Sequence, residues 1–144
     1  MDDATTVVDH GGPSHALGAD PRELAARAMI AALDCADIER MLQYMTDDVV
    51  TAFGNFPELA GKEAFRTLFR QVEGSVSSIH HDIHDLWHVA DDPDVLVVRM
   101  TVSYTRRDGG TISLPCCNVF RMRANLVAHY GVYMDISPVL ARQA

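Results

Sequence analysis

The segment Ile79-His80-His81-Asp82-Ile83-His84-Asp85-Leu86-Trp87-His88-Val89 sets four histidines among apolar residues. On a strand, successive side chains point to opposite faces. Ile79, His81, Ile83, Asp85, Trp87 and Val89 then share one face, and His80, Asp82, His84, Leu86 and His88 the other. The first set is the more apolar and is expected to face inward. His81 becomes an interior histidine beside Ile and Trp side chains. Burial favours the neutral imidazole, and a neutral imidazole near its working pH is what a general base requires. Asp34, closing a helix upstream, is the candidate to orient it. The plainer alternative is a satisfied core histidine and an aspartate that merely ends the helix, because buried titratable groups also serve structure.

The opposite face of the same strand carries His80, Asp82, His84 and His88. Alternate strand positions lie ~6.6 Å apart, close enough for two histidines to share a zinc ion. No third ligand at fixed spacing accompanies them, so a solvated or dimer-facing histidine stripe is expected and no metal. Which of His80, His81 and His84 meets the pocket is left open by the pattern. Cys116 and Cys117 occupy opposite faces of a later strand. Cys116 should line the interior with Leu114 and Asn118 as small apolar filler, since no neighbouring cation favours a thiolate. Tyr130, Val132, Met134 and Ile136 alternate inward near the end of the chain. Tyr130 either offers a phenol to the pocket or packs in the core with its hydroxyl at the rim. No glycine-rich phosphate loop follows a strand, so no organic cofactor is expected.

The elements that must position these groups follow from periodicity. Residues 1–19, with Gly11, Gly12, Pro13 and Gly18, read as a flexible tail ahead of a single domain over residues 20–144. Asp20-Pro21-Arg22-Glu23 opens helix 1, with Asp20 as cap, Pro21 in the first turn and Glu23 at the capping-box position. That helix runs to about Leu33. Asp37 opens helix 2, where Ile38, Met41, Leu42 and Met45 recur at helical spacing, and Asp47-Asp48 should break it. Val49 to Phe53 is a short strand, and Gly54 to Gly61 a loop. Helix 3 spans Lys62 to Glu73 with an apolar stripe of Ala64, Phe65, Leu68, Phe69 and Val72. Strands over Ser77–Ala90, Val95–Thr105, Thr111–Met122 and Leu126–Ile136 complete the chain. Their short turns imply an antiparallel meander.

Bulk properties exclude some partners. The 144 residues are 48% hydrophobic and 22% charged, with a net charge of -8. A chain this long buries ~70% of its unfolded surface and needs no metal or disulfide to fold. The 12 basic residues are scattered, which argues against nucleic acid or an anionic membrane as a partner. No apolar run approaches the ~18 residues of a membrane span. The odd set Cys35, Cys116 and Cys117 is no disulfide framework and suits a reducing cytoplasm. The opening Met-Asp-Asp has no secretory character.

The order of Asp37-Ile38, Asp47-Asp48, Gly61-Lys62-Glu63 and Tyr133-Met134-Asp135-Ile136-Ser137-Pro138 resembles the nuclear transport factor 2-like superfamily, in its SnoaL-like and ketosteroid-isomerase-like branch. The resemblance spans roughly residues 20 to 140. It implies an α+β cone: a curved, mostly antiparallel sheet closed by three helices around an apolar pocket, often in a homodimer. Members include isomerases, dehydratases, epoxide hydrolases, polyketide cyclases and proteins without catalysis, so fold does not fix function. The acid–base positions of ketosteroid isomerases look like Met29, Phe53 and Asn118, where no carboxylate remains. Those of limonene-epoxide-hydrolase-like enzymes look like Thr51, Phe53, Arg99, Thr101 and Val132, where only the arginine remains. Those of scytalone-dehydratase-like enzymes look like Met29, Asp34 and His81, where the tyrosine is missing and the Asp and His are kept.

The expectation is therefore a pocket lined by Met29, Thr51, Phe53, His81, Trp87, Leu114, Cys116, Asn118, Tyr130, Val132 and Met134. Arg99 is expected to face it with Thr101 and Ser103. The apolar opposite face of that strand, Leu96, Val98, Met100 and Val102, would then serve dimerisation. The leading function is a cofactor-independent lyase or isomerase, dehydratase- or cyclase-like, for a hydrophobic carbonyl compound such as a polyketide or terpenoid. His81 would be the acid–base, Asp34 its orienter and Asn118 the donor to a developing oxyanion. The alternative is a non-catalytic binding or dimerisation module of the same fold.

Overall fold

The structure is a computed structural model that describes residues 20–141. The expected tail over residues 1–19 lies outside the described residues. The elements are α1 (Pro21–Asp34), α2 (Ile38–Leu42), β1 (Met45–Phe53), β2 (Leu59–Ala60), α3 (Lys62–Ser75), β3 (Val76–His88), β4 (Val95–Arg106), β5 (Thr111–Arg123), β6 (Leu126–Tyr133) and α4 (Ser137–Leu140). The strands form one open, curved sheet in the order β2-β1-β6-β5-β4-β3. Every pairing is antiparallel except β1 with β6, which is parallel. The mostly antiparallel α+β cone expected from the sequence is the observed architecture.

Alternation on β4 explains which way the sheet faces. Leu96, Val98, Met100, Val102 and Tyr104 are buried, while Arg99 is exposed. On β5 the matching residues are Cys116, Asn118, Phe120 and Met122. α1 supplies Ala25, Ala26, Met29, Ile30 and Ala32 against this face, and α3 supplies Phe65 and Phe69. Each large side chain fully buried here contributes ~1.5–3 kcal/mol relative to exposure. The apolar face of β4 is thus core, not the dimer surface expected of it. A domain this size has one interior, and the most apolar face takes it.

Several local readings change. α2 is a five-residue helix, and Asp47-Asp48 does not end it. Those acids sit in β1, where the pairing with β6 shifts register between Met45 and Val50. They are exposed there and face cations, Asp47 Lys62 at 3.2 Å and Asp48 Arg123. Leu59-Ala60 in the expected loop pairs with β1. The last strand stops at Tyr133, and Ser137–Leu140 form a helical turn with Pro138 in its first turn. Glu23 does not close a capping box. Its carboxylate meets Arg27 and His88, each at 3.1 Å. No described helix is long and apolar enough to cross a membrane.

Asp20 caps α1 as expected. Its Oδ1 accepts from the Arg22 backbone N–H at 2.9 Å and from Arg22 Nε at 3.0 Å, and Oδ2 accepts from Arg22 Nη2 at 2.7 Å. The Arg22 guanidinium holds the Asp20 carboxyl at about 2. A depressed folded-state value stabilises above the ordinary carboxylate range, and that stabilisation is lost as pH falls through the folded value. Asp20→Ala should therefore lower stability by ~1 kcal/mol at neutral pH, with the difference from wild type shrinking between about pH 4 and pH 2 in urea titrations.

Candidate functional site

The site is assembled where the end of α1 meets β3. Asp34 is the last residue of α1, and the last turn carries no basic residue. A carboxylate at this negative end of the helix dipole is locally unfavourable by ~0.3–1 kcal/mol. Hydrogen bonds from β3 offset it. The His81 backbone N–H donates to both Asp34 oxygens, at 3.1 and 3.2 Å. His81 Nδ1 lies 2.5 Å from Asp34 Oδ1. An ionised carboxylate only accepts, so Nδ1 carries the hydrogen and donates. The neutral ring then presents a lone pair at Nε2, which has no hydrogen-bond partner among the described residues. The His81 side chain is 5% exposed. His80 is 73% exposed, with Nδ1 at 3.7 Å from the other Asp34 oxygen.

His81 lines a cavity of about 40 Å³ between the helices and the sheet. Its walls include Leu33 from α1, Phe65, Leu68, Phe69 and Val72 from α3, and Phe53 from β1. The sheet adds Ile79, Tyr104, Cys116, Asn118, Tyr130 and Val132, and Met134 follows β6. No carboxylate lines it, and Asp34 stands behind the imidazole. The Tyr104 hydroxyl donates to Met134 Sδ at 3.4 Å, and the Cys116 thiol donates to Asn118 Oδ1 at 3.2 Å. The phenyl rings of Phe120 and Phe65 pack on Tyr130, at centroid distances of 5.3 and 6.2 Å. Burial pushes both tyrosine hydroxyls well above their ordinary range, and the Asn118 amide works against that rise at Tyr130. Both phenols therefore stay protonated at any ordinary pH and act as donors. Burial pushes the Cys116 thiol up to about 12, which keeps it neutral filler.

Of the residues expected in the pocket, the structure brings His81, Phe53, Cys116, Asn118, Tyr130, Val132 and Met134 to the cavity wall. Met29 and Thr51 are buried in the core instead, and Leu114 is part-buried on the same face. Trp87 is 48% exposed. The cause is a register shift between Ile83 and Asp85 in the pairing with β4. One extra residue on β3 there reverses the alternation. Beyond it Leu86 packs on the core while Trp87 turns outward. Arg99 is also outside, paired with Asp85 at 2.6 Å. Tyr104 was not anticipated, although the alternation of Val98, Met100 and Val102 extends to it. Among the described residues no cluster of three or more His, Cys, Asp or Glu is placed to hold a metal ion. His84 instead meets Thr101 at 2.7 Å and His88 meets Glu23.

Residues 26–130 match the SnoaL-like domain family. The chain belongs to that family. No curated protein matches it in sequence. Solved structures of like fold include a nuclear transport factor 2-like protein of unknown function from Burkholderia pseudomallei, with a TM-score of 0.75 at 14% identity over 84% of this chain and 95% of that one. An epoxide hydrolase from M. tuberculosis, described as LEH-like, aligns with a TM-score of 0.69 at 20% identity over 83% and 86% of the two chains. A putative polyketide cyclase from Xanthomonas campestris aligns with a TM-score of 0.69 at 17% identity over 82% and 93%. At these identities the likeness is one of fold. In this SnoaL-like domain, the polar groups inside the cavity are one imidazole, two phenols, one amide and one thiol.

Thiol chemistry reads out this arrangement. Cys35 is exposed, Cys117 intermediate and Cys116 buried. Iodoacetamide at about pH 8 should label Cys35 first, Cys117 slowly and Cys116 only after denaturation. Peptide mass spectrometry over time distinguishes the three, and early labelling of Cys116 would contradict its enclosure.

Proposed function

We propose that the domain is a cofactor-independent lyase or isomerase for a hydrophobic carbonyl compound, of the dehydratase or cyclase kind. The observation that carries this reading is the 2.5 Å contact of Asp34 with His81 on the wall of an apolar cavity whose lining holds no carboxylate. Asp34 fixes the imidazole tautomer, so Nε2 is the base. It removes a proton beside the substrate carbonyl. Negative charge then develops on the carbonyl oxygen, where a neutral hydroxyl donor in an apolar wall stabilises it strongly. Tyr130 and Tyr104 supply such donors. Asn118 is a further donor: its carbonyl takes the Cys116 thiol, which leaves its amide nitrogen to donate to the oxyanion. The imidazolium returns its proton to another carbon in isomerisation, or to a departing hydroxyl in dehydration.

The free thiols of Cys35, Cys116 and Cys117 suit a reducing cytoplasm. A homodimer is supported by one row across the outer sheet face. Trp87 pairs with Val97, Val97 with Val119 and Val119 with Gly131. The Tyr133 ring, 62% exposed, lies against Gly131, where an added Cβ would meet it at 3.1 Å. A binding module is the second reading, favoured by the Asp34 contacts with the His81 backbone, which tie α1 to β3 without any chemistry.

A thermal-shift screen against hydrophobic ketones, epoxides and phenolic polyketides, with product analysis of each hit, separates the two. A ligand at about one hundred times its Kd adds about 2.7 kcal/mol of stability. In the enzyme, His81→Ala should lower kcat/KM by about 10²–10⁴ while ligand binding and the circular dichroism spectrum persist. Binding without turnover by the wild type would establish the module instead. Trp87→Arg should convert a dimer to a folded monomer in sedimentation velocity. A sedimentation coefficient unchanged from a wild-type dimer would place the interface elsewhere.

A further inference from the structure

The cavity behind His81 has room for about three water molecules, far less than a polyketide or terpenoid occupies. Immediately outside it, between the end of α1, α3 and the start of β3, lies a surface depression of about 360 Å³. Leu33, Phe69 and Ile79 line both spaces. These three apolar side chains therefore form a wall common to both spaces. Asp34 forms part of the depression's wall, so the depression abuts the carboxylate that orients His81. A groove beside Phe56 and Ile136 touches the cavity through Met134 alone.

The charge of the depression restricts what fits. Asp34 and Glu73 bring carboxylates to it, and Arg107 is its one cation. Arg107 is already engaged: Nε donates to Gly74 O at 3.0 Å and Nη2 to Glu73 O at 3.1 Å. With two carboxylates against one guanidinium, the balance is unfavourable for an anionic group. Ala36, Val76 and the three shared residues supply apolar wall.

We infer that cavity and depression are two lobes of one ligand site for an elongated, uncharged hydrophobe. Its carbonyl end lies in the cavity, its tail lies in the depression, and Leu33, Phe69 and Ile79 part around it and set the length accepted. The inference rests on the proposed function only for the carbonyl at the buried end; the two-lobed shape and the exclusion of anions stand on the geometry.

Cys35, exposed in the wall of the depression, provides a reversible block. Calorimetric affinities would be measured for straight-chain methyl ketones from pentanone to dodecanone, and for fatty carboxylates of equal length. Each methylene buried in the depression should tighten binding by roughly fourfold. A benzylthio group on Cys35, added with benzyl methanethiosulfonate, should abolish that gain for long ketones and leave short ones unchanged. Dithiothreitol should restore it, and Cys35→Ser should be insensitive. Leu33→Ala, which thins the shared wall, should favour the long ketones further. Absence of any length dependence, survival of that dependence after the block, or carboxylates binding as tightly as ketones would overturn the inference, as would no ketone binding at all. Length-dependent binding without turnover would uphold the two-lobed site while defeating the catalytic reading.

Discussion

The contact between Asp34 and His81 decides how the helical layer sits on the sheet. A carboxylate at the negative end of α1 is out of place on local grounds, and its partners repair this from another element. Removing the carboxylate would leave the His81 backbone and ring N–H groups unsatisfied, which costs more than an exposed ion pair ever contributes. A second carboxylate–histidine pair, Glu23 with His88, stands at the other end of α1. The helix is thereby laid antiparallel along β3, fixed at both ends. The inner tie sets the position of Leu33 and so closes one end of the cavity. The outer tie is solvent-exposed and worth correspondingly little.

What could be read from the sequence follows from how periodicity survives folding. α1, α3 and the long strands were legible because apolar spacing of 3.6 and 2 is a direct imprint of a single buried face. His81 was legible for the same reason, since β3 alternates from Ile79 to Ile83, whereas Asp34 was named through the resemblance. The register shift after Ile83 leaves no signature that periodicity detects, so Trp87 was assigned to the wrong face. Arg99 failed differently. The resemblance placed it inward while its own strand placed Val98 and Met100 inward, and the local pattern was right. Met29, Thr51 and Leu114 share the inward face, yet a face is wider than a cavity. Only side-chain packing decides which inward residues border space, and packing is not written in spacing. Tyr104 could have been found by carrying the β4 alternation two residues further.

The proposed proton transfer would run through groups that remain neutral until they react. Apolar walls strengthen every polar contact within them, and burial keeps both phenols protonated. A carboxylate in the same space would compete with a substrate oxyanion for those donors. Placing the carboxylate behind the imidazole avoids that conflict while still fixing the tautomer. The family fold hosts many chemistries because its scaffold constrains the cavity's position far more than its lining. Here the apolar side of the cavity is given by Leu33, Phe65, Leu68, Phe69 and Val72, and the chemical side by five polar residues.

Asp34 also separates scaffold from chemistry in a way the geometry makes explicit. Its oxygens take two kinds of hydrogen from His81: one from the backbone and one from the ring. The backbone bond holds α1 to β3 whatever side chain residue 81 carries. The ring bond satisfies the imidazole N–H and fixes its tautomer. Loss of the imidazole therefore leaves the helix anchored and removes the base of the proposed reaction, whereas loss of the carboxylate strands a backbone N–H and frees the ring together. The short ring contact occupies Nδ1 and leaves Nε2 without a hydrogen-bond partner among the described residues, on a side chain that lines the cavity.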